Sequence, residues 1–455
     1  MERGGKKRIL LVCYYFPPIG MGGVQRPAKF AKYLSRLGHE VTVIAAQPLP
    51  GEVTDDTLLA DIPEDVPIIR VIIRHPRNLL RIFRRPGAEQ KTSRPGRGRL
   101  MRQFAAWSRL PDDKIGFVPG ALAAAKKAFT GKPPDVVLTT SPPPSIHIIG
   151  RRLQRLWNTT WVADFRDPWF MTADERLPTP LHRAVQKKVL GTTLRHADSV
   201  VVVSPGIIDD FQAMGCARDN IEIITNGYDE DDFADFTDTE DMLMPKRFRF
   251  HLYGTISPNA PPEPFFRAMA AWRAQHPESA DQMEISHRGA VLGYDLERFV
   301  KDYDLPRRFT SLGYAPHWFA VQELFEAHCL VLSVADTPGL RSNIPGRIYE
   351  CLRSHRPIIA FVPPEGAAAG ILRQFEGVTL LDPADEHSAI QAIDSLFNAW
   401  LADPRSKIHF RENVVHYSRA HLTTRLAAMF TCASRNLSCR LGRSWHLDSP
   451  PPRRG

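Results

Sequence analysis

Arg347 and Glu350 stand three residues apart in "PGRIYECL", where helical spacing puts both on one face. A guanidinium there can neutralise a diphosphate, and a carboxylate one turn on can accept two hydroxyls of a ribose. The same pair also fits a plain i, i+3 ion pair, and spacing alone does not separate the two. A second charged group, Asp164, Arg166 and Asp167 in "WVADFRDPWF", follows an apolar run and lies beside Trp161 and Trp169. It can orient the hydroxyls of a polar acceptor through charge-assisted hydrogen bonds, or it can brace its own loop as an Asp–Arg pair. Gly20, Gly22 and Gly23 sit just ahead of a helix pattern. Backbone amides and the positive helix end suit a phosphate there, although a plain βα turn uses glycine too.

Smaller signals sit at comparable places. His147 follows three prolines in "TTSPPPSIHII", a position for packing or capping as much as for acid–base work. Asn226 and Gly227 end one strand-like run, and Gly254 and Thr255 end another. Asp229 and Asp231 form an Asp-x-Asp pair without a second ligand cluster, so no metal site is expected. The six cysteines show no C-x-x-C or Cys/His metal spacing. Position 25 is Gln, which breaks a G-x-G-x-x-G fingerprint, and no Gly-Lys-Ser/Thr follows.

Two αβ series must position these groups. Ile9 to Val12 read as a buried strand; Val24, Ala28, Ala31, Leu34 and Leu37 recur as one helix face; Gly38 closes the helix, and "HEVTVIAA" returns as a strand. This βαβ unit implies a parallel sheet, continued by "PDVVLTTS", "TTWVADF", "ADSVVVVS" and "IEIITNG". An acidic stretch follows Tyr228. A second series then runs through "RFRFHLYGT", "QMEISHRG", "FTSLGY", "CLVLSVA", "RPIIAFV" and "GVTLLD". The expected class is α/β, with two facing Rossmann-like doubly wound domains. The first spans 1–232, a linker 233–247, the second 248–420, and 421–455 hold a helix end and a disordered basic tail. Ligands of open αβ sheets bind beyond the carboxyl ends of the strands, where these charged groups lie.

With 455 residues the chain exceeds the size at which a single core stops growing, and it has no apolar run long enough for a membrane span or a secretory signal. A cytoplasmic protein is expected. The net charge of +9 asks for an anionic partner, and arginines interleaved with Leu79, Leu80, Ile82 and Phe83 between Arg70 and Arg109 suit an anionic membrane surface. A solvated basic loop is the other reading. Nucleic acid is not expected, since no binding motif accompanies the charge.

The glycine loop, "DFRDPW", "TNGYD" and "PGRIYECL", in this order over about residues 8 to 420, resemble the group 1 (family 4) glycosyltransferases of the GT-B fold, in the subgroup with a DFRDPW motif. The resemblance implies retaining, metal-independent transfer of a sugar from a nucleotide donor held mainly by the second domain. The acceptor, a cell-surface glycan or lipid-linked molecule, would lie against the first, with the protein peripheral on the inner face of the plasma membrane. By that similarity Gly22 and Gly23 approach the donor phosphate or the acceptor, Arg347 matches the basic residue at the diphosphate, and Glu350 matches the ribose carboxylate. Asn226, Gly254, Thr255 and Arg288 complete the expected donor side; Asp164, Arg166, Asp167 and His147 are the catalytic candidates. The nucleotide sugar is a substrate, so no cofactor is implied. One departure stands out: Ser342 occupies a position where members often carry a glutamate. A nucleotide-sugar 2-epimerase, or an inactive basic membrane protein on the same scaffold, are the alternatives.

Overall fold

A computed structural model describes residues 5–20, 22–52, 54–73, 110–167, 180–216, 218–234, 246–305, 309–403 and 414–432. Most of the arginine-rich segment, Trp169, most of the linker and the tail from Ser434 lie outside the described residues. The first domain alternates β1 (Arg8–Cys13), α1 (Gln25–Arg36), β2 (Glu40–Ala46), β3 (Ile68–Val71), α2 (Phe117–Ala128), β4 (Val136–Ser141), α3 (Ile146–Trp157), β5 (Thr160–Phe165), α4 (Pro180–His196), β6 (Ser199–Val202), α5 (Pro205–Ala213) and β7 (Ile221–Ile223). Its strands pair in parallel in the order β3-β2-β1-β4-β5-β6-β7. The strand sequences are continuous apolar runs because both faces of the sheet are covered. Ala28, Ala31 and Leu34 of α1 pack on Ile9 and Leu11, while Ile149, Leu153, Leu190 and Phe211 pack on Leu10, Val137 and Val200 on the other side.

Two details differ from the helix and strand pattern. Leu37, expected on the buried face of α1, is 45% exposed, because the helix ends there and Gly38 turns the chain with φ +87°. Strand β3 was hidden by Arg70, which interrupts the apolar alternation; its guanidinium is taken up by the carbonyls of Ala46 and Pro17.

Trp161 shows how tightly this sheet is packed. Its ring is fully buried against α3, and a Cβ on Gly150 would lie 2.1 Å from the indole Nε1. Gly150→Ala is therefore expected to destabilise the protein by about 1–3 kcal/mol through overpacking, read as a lower urea midpoint with an unchanged slope. An unchanged midpoint would mean that the indole moves aside without cost.

The second domain repeats the architecture with β8 (Phe248–Tyr253), α6 (Glu263–Gln275), β9 (Met283–Arg288), α7 (Leu296–Asp302), β10 (Phe309–Ser311), α8 (His317–Phe325), β11 (Cys329–Ser333), α9 (Arg347–Arg353), β12 (Ile358–Phe361), α10 (Ala367–Leu372), β13 (Val378–Leu381) and α11 (Glu386–Ala402). The parallel order is β10-β9-β8-β11-β12-β13. The last helix, α12 (Arg419–Cys432), returns to the first domain, where Leu422, Leu426 and Phe430 join the core beneath α1.

The crossing back constrains Gly227. A Cβ there would lie 2.0 Å from the Tyr417 carbonyl oxygen, and Tyr228 pairs with Ser418 as a parallel bridge. The acidic residues after Tyr228 do not float as a spacer. Asp229 takes Lys29 at 2.6 Å, Lys32 at 2.7 Å and the Tyr33 hydroxyl; Asp231 takes Lys32 at 3.0 Å and Arg36 at 2.7 Å; Asp232 takes Lys29 at 3.0 Å. This explains how two lysines of α1 can be almost fully buried: each ammonium is surrounded by carboxylates.

Candidate functional site

In each sheet the strand order reverses beside the first strand, so a crevice opens between β1 and β4 and another between β8 and β11. The sequence candidates gather around these two places, but they do not all face outward.

On the first side, Asp164 at the end of β5 is fully buried. It accepts Arg26 Nε at 3.0 Å and Nη2 at 2.7 Å, together with the Thr140 hydroxyl at 2.6 Å. The remaining donors of Arg26 reach the carbonyls of Ile224 and Thr225 at 2.9 and 2.7 Å, just before Asn226 and Gly227. Of the two readings of "DFRD", bracing describes Asp164: it ties β5, α1 and the end of β7 together. Arg166 donates Nε to the Ser141 carbonyl at 2.8 Å, and its guanidinium lies against the glycine loop, where a Cβ on Gly23 would come within 3.3 Å of Nη1. Gly22 and Gly23 form a single 3-10 turn leading into α1. Asp167 is exposed at the edge, and Asn226 is half-buried.

His147 sits in the core, which revises the expectation that it takes part in catalysis. The ring is fully buried, 4.4 Å from the Phe165 ring, with Nδ1 2.9 Å from the Thr139 hydroxyl. Burial pushes its pKa down to about 3, so it stays neutral as a packing group.

On the second side, Arg347 opens α9 directly at the β8/β11 crevice. It donates Nη1 to the carbonyls of Tyr253 and Thr255 at 3.2 and 3.1 Å, and Nη2 to the Ser333 carbonyl at 3.0 Å. Gly254, with φ +95°, passes beneath it; a Cβ would come within 3.0 Å of the Arg347 side chain. Glu350 does not pair with Arg347. It accepts His317 Nε2 at 2.9 Å and the Tyr253 hydroxyl, while His317 Nδ1 lies 3.6 Å from Asp232. Burial alone would lower the His317 pKa, but Glu350 and Asp232 outweigh it and raise it to about 9.

Arg288 was expected as a second donor cation, and its geometry corrects this. It is held by Glu323, with Nε to Oε2 at 2.6 Å, donates to the Leu312 carbonyl at 2.6 Å, and lies over the Phe319 ring. Its charge is already compensated. Glu323, an acid among the apolar residues of "AVQELF", is the sequence signal that could have indicated such a partner and was not used.

The domains touch across the cleft. The Ser204 hydroxyl donates to the Ser342 carbonyl at 2.6 Å, and the Ser342 hydroxyl donates to Asp210 at 3.0 Å. Gly206 leaves room for this, since its Cβ would lie 2.7 Å from that of Ser342. Farther along, the Tyr314 hydroxyl donates to Asp55 at 2.9 Å. Asp210, Tyr253 and His317 were not singled out by sequence motifs, because each gains its meaning from a partner distant in the chain. Asp61, Asp229 and Asp232 place oxygens within 4.8 Å of one another, yet Lys29 and Lys32 already stand among them. Ammonium groups therefore take the place a cation would need.

Residues 22–227 match the model of the glycosyl transferase 4-like domain. The first domain is similar to that family over nearly its whole length. The fold extends the likeness to both domains. Sucrose-phosphate synthase from Thermosynechococcus elongatus is 15% identical, with a TM-score of 0.58 over 94% of this chain and 99% of its own. HepE of Anabaena, solved in complex with UDP, is 13% identical, with a TM-score of 0.62 over 93% and 100%. A putative UDP-N-acetylglucosamine 2-epimerase from Listeria monocytogenes is 12% identical, with a TM-score of 0.53 over 95% and 97%. At these identities the likeness shows the GT-B arrangement of two parallel-sheet domains. A search of curated protein sequences finds no match.

Proposed function

We propose that the protein is a retaining, metal-independent glycosyltransferase that moves a sugar from a nucleotide-sugar donor to a glycan or lipid-linked acceptor. The observation that carries this reading is that Arg347 and Glu350, one turn apart on α9, stand at the β8/β11 crevice with separate partners, in a chain whose first domain matches a glycosyl transferase 4-like domain. Arg347 would exchange backbone carbonyls for diphosphate oxygens, with Gly254 leaving the backbone free to approach. Glu350, held by His317 and Tyr253, would accept the ribose hydroxyls. Negative charge grows on the departing diphosphate, so a fixed cation and backbone amides stabilise the transition state without a metal. The leaving phosphate can take the acceptor proton on the same face, which gives retention without a separate general base. Asp167, exposed at the first-domain edge, would then be the acceptor-side carboxylate, while Asp164 braces the end of β5 through Arg26. Ser342 stands where the family resemblance places a sugar-contacting glutamate, and its hydroxyl leads instead to Asp210.

The test is thermal stability of the purified chain against UDP, GDP, ADP, dTDP and CDP, with Glu350→Ala beside the wild type. A nucleotide at about 100 times its dissociation constant stabilises the folded state by roughly 2.7 kcal/mol, so one base should raise the melting temperature of the wild type and not of the variant. No shift with any nucleotide would remove the donor site. The fold of the Listeria protein supports a second reading, epimerisation of the nucleotide sugar. Product formed from the stabilising donor without any acceptor would select it.

A further inference from the structure

Side chains from both domains meet where the chain crosses between them. Thr225 follows β7, Tyr349 lies in α9, and Arg419 and Thr423 stand one turn apart on one face of α12. Arg26 approaches from α1, with Nη1 on the Thr225 carbonyl at 2.7 Å. The backbone of the crossing is fixed: the Arg419 N–H donates to the Tyr228 carbonyl at 2.8 Å, beside the parallel bridge between Tyr228 and Ser418. Its side chains are not.

Arg419 is 5% exposed, and Tyr349 and Thr423 are fully buried. Among the described residues, Arg419 Nη1 and the hydroxyls of Tyr349, Thr225 and Thr423 are all enclosed without a hydrogen-bond partner. A helical threonine ordinarily returns its hydroxyl to the carbonyl four residues back, and Thr423 does not. The Tyr349 hydroxyl lies next to that of Thr225, yet no well-directed bond joins them. Such orphans are few in a folded chain, and this group surrounds a cation. The carboxylates whose field reaches Arg419 are engaged elsewhere: Glu350 by His317, and Asp229 by Lys29 and Lys32. Burial pushes the Arg419 pKa down to about 10, and the Arg26 guanidinium acts in the same direction. Burial also raises the pKa of the Tyr349 phenol, which therefore keeps its proton and can donate it.

We propose that a small inorganic anion of the halide class binds at this crossing, held by Arg419 Nη1 and the hydroxyls of Tyr349, Thr225 and Thr423. One guanidinium and three hydroxyls can all donate, which is the set that a monovalent anion needs when it leaves water. A water molecule would satisfy the hydroxyls but leave the buried charge uncompensated. The anion ties α9 of the second domain to α12 and to the end of β7, so it acts as a rivet between the domains. The proposal does not rest on the donor-site reading, since neither Arg347 nor Glu350 is among the ligands.

The experiment is thermal unfolding of the full chain in sodium bromide, with sodium gluconate replacing it at constant ionic strength. Gluconate is too large for an enclosed site. The melting temperature of the wild type should rise with bromide, and at about 100 times the dissociation constant the unfolding equilibrium constant should fall about a hundredfold. Tyr349→Phe keeps the ring and removes one ligand atom, so it should need roughly tenfold more bromide for the same shift, the loss of one hydrogen bond to a charged group. Arg419→Met should lose the dependence on bromide. Anomalous scattering from a bromide-grown crystal should place the ion beside Arg419 Nη1. Three outcomes overturn the proposal. The first is equal melting of the wild type in the two salts. The second is an unchanged bromide dependence in Arg419→Met, which would make the effect a general one of salt. The third is release of the bromide by a nucleoside diphosphate, which would assign Arg419 to the donor site.

Discussion

Arg26→Met is expected to lower the free energy of unfolding by about 3–5 kcal/mol, the cost of leaving a buried carboxylate without its partner. Asp164 is completely enclosed, and Arg26 supplies three of its contacts, at 2.7, 3.0 and 3.2 Å. The loss reaches further than one pair. The same guanidinium holds the carbonyls of Ile224 and Thr225, and so fixes the end of β7 where the chain turns towards the second domain. Urea unfolding followed by tryptophan fluorescence measures the effect. Arg26→Met/Asp164→Leu should recover part of it, because well-packed apolar groups can replace a buried pair at little net cost while half a pair cannot. A single variant within about 1 kcal/mol of the wild type would mean that water reaches Asp164.

The ionic brace marks where reading by sequence reached its limit. Most strand positions, the parallel character of the sheets and the two-domain plan were legible because apolar runs and helical spacing are local signals, whereas the order of the strands was not. Among the described residues β3 was the strand missed, through Arg70. What Asp164, Arg288 and Asp229 do was not legible, since each is decided by one residue far away in the chain: Arg26, Glu323 and Lys29. Types and spacing placed charges at strand ends. They could not say which of those charges were already neutralised. Arg347 was placed well for the opposite reason: a position at a helix start behind a Pro-Gly turn, after a buried strand, leads a side chain to the crevice whatever its neighbours are.

Raising the pH from about 6.5 to 9 is expected to remove about 3 kcal/mol of stability through His317 alone. Its folded pKa of about 9 lies above the ordinary 6.5, so the protonated ring favours the folded state. That contribution is complete below pH 6.5 and disappears as the pH rises through 9. The cause is geometric. The imidazolium bridges Glu350 on α9 and Asp232 after β7, and Asp232 is also bound to Lys29 on α1, so one proton links the candidate donor site to both domains. At the buried histidines 147, 251, 287 and 328 burial lowers the pKa, whereas at His317 the two carboxylates reverse that direction. In His317→Gln the amide can still donate to Glu350 but cannot titrate. Melting temperatures of wild type and variant should therefore converge by pH 9 and separate towards pH 6.5, with the wild type higher. Nucleotide affinity of the wild type should follow the same curve if Glu350 reads the ribose, because the carboxylate loses its charged support as the ring deprotonates. Parallel pH profiles for the two proteins would place the titration elsewhere and detach His317 from the link between the site and the domain crossing.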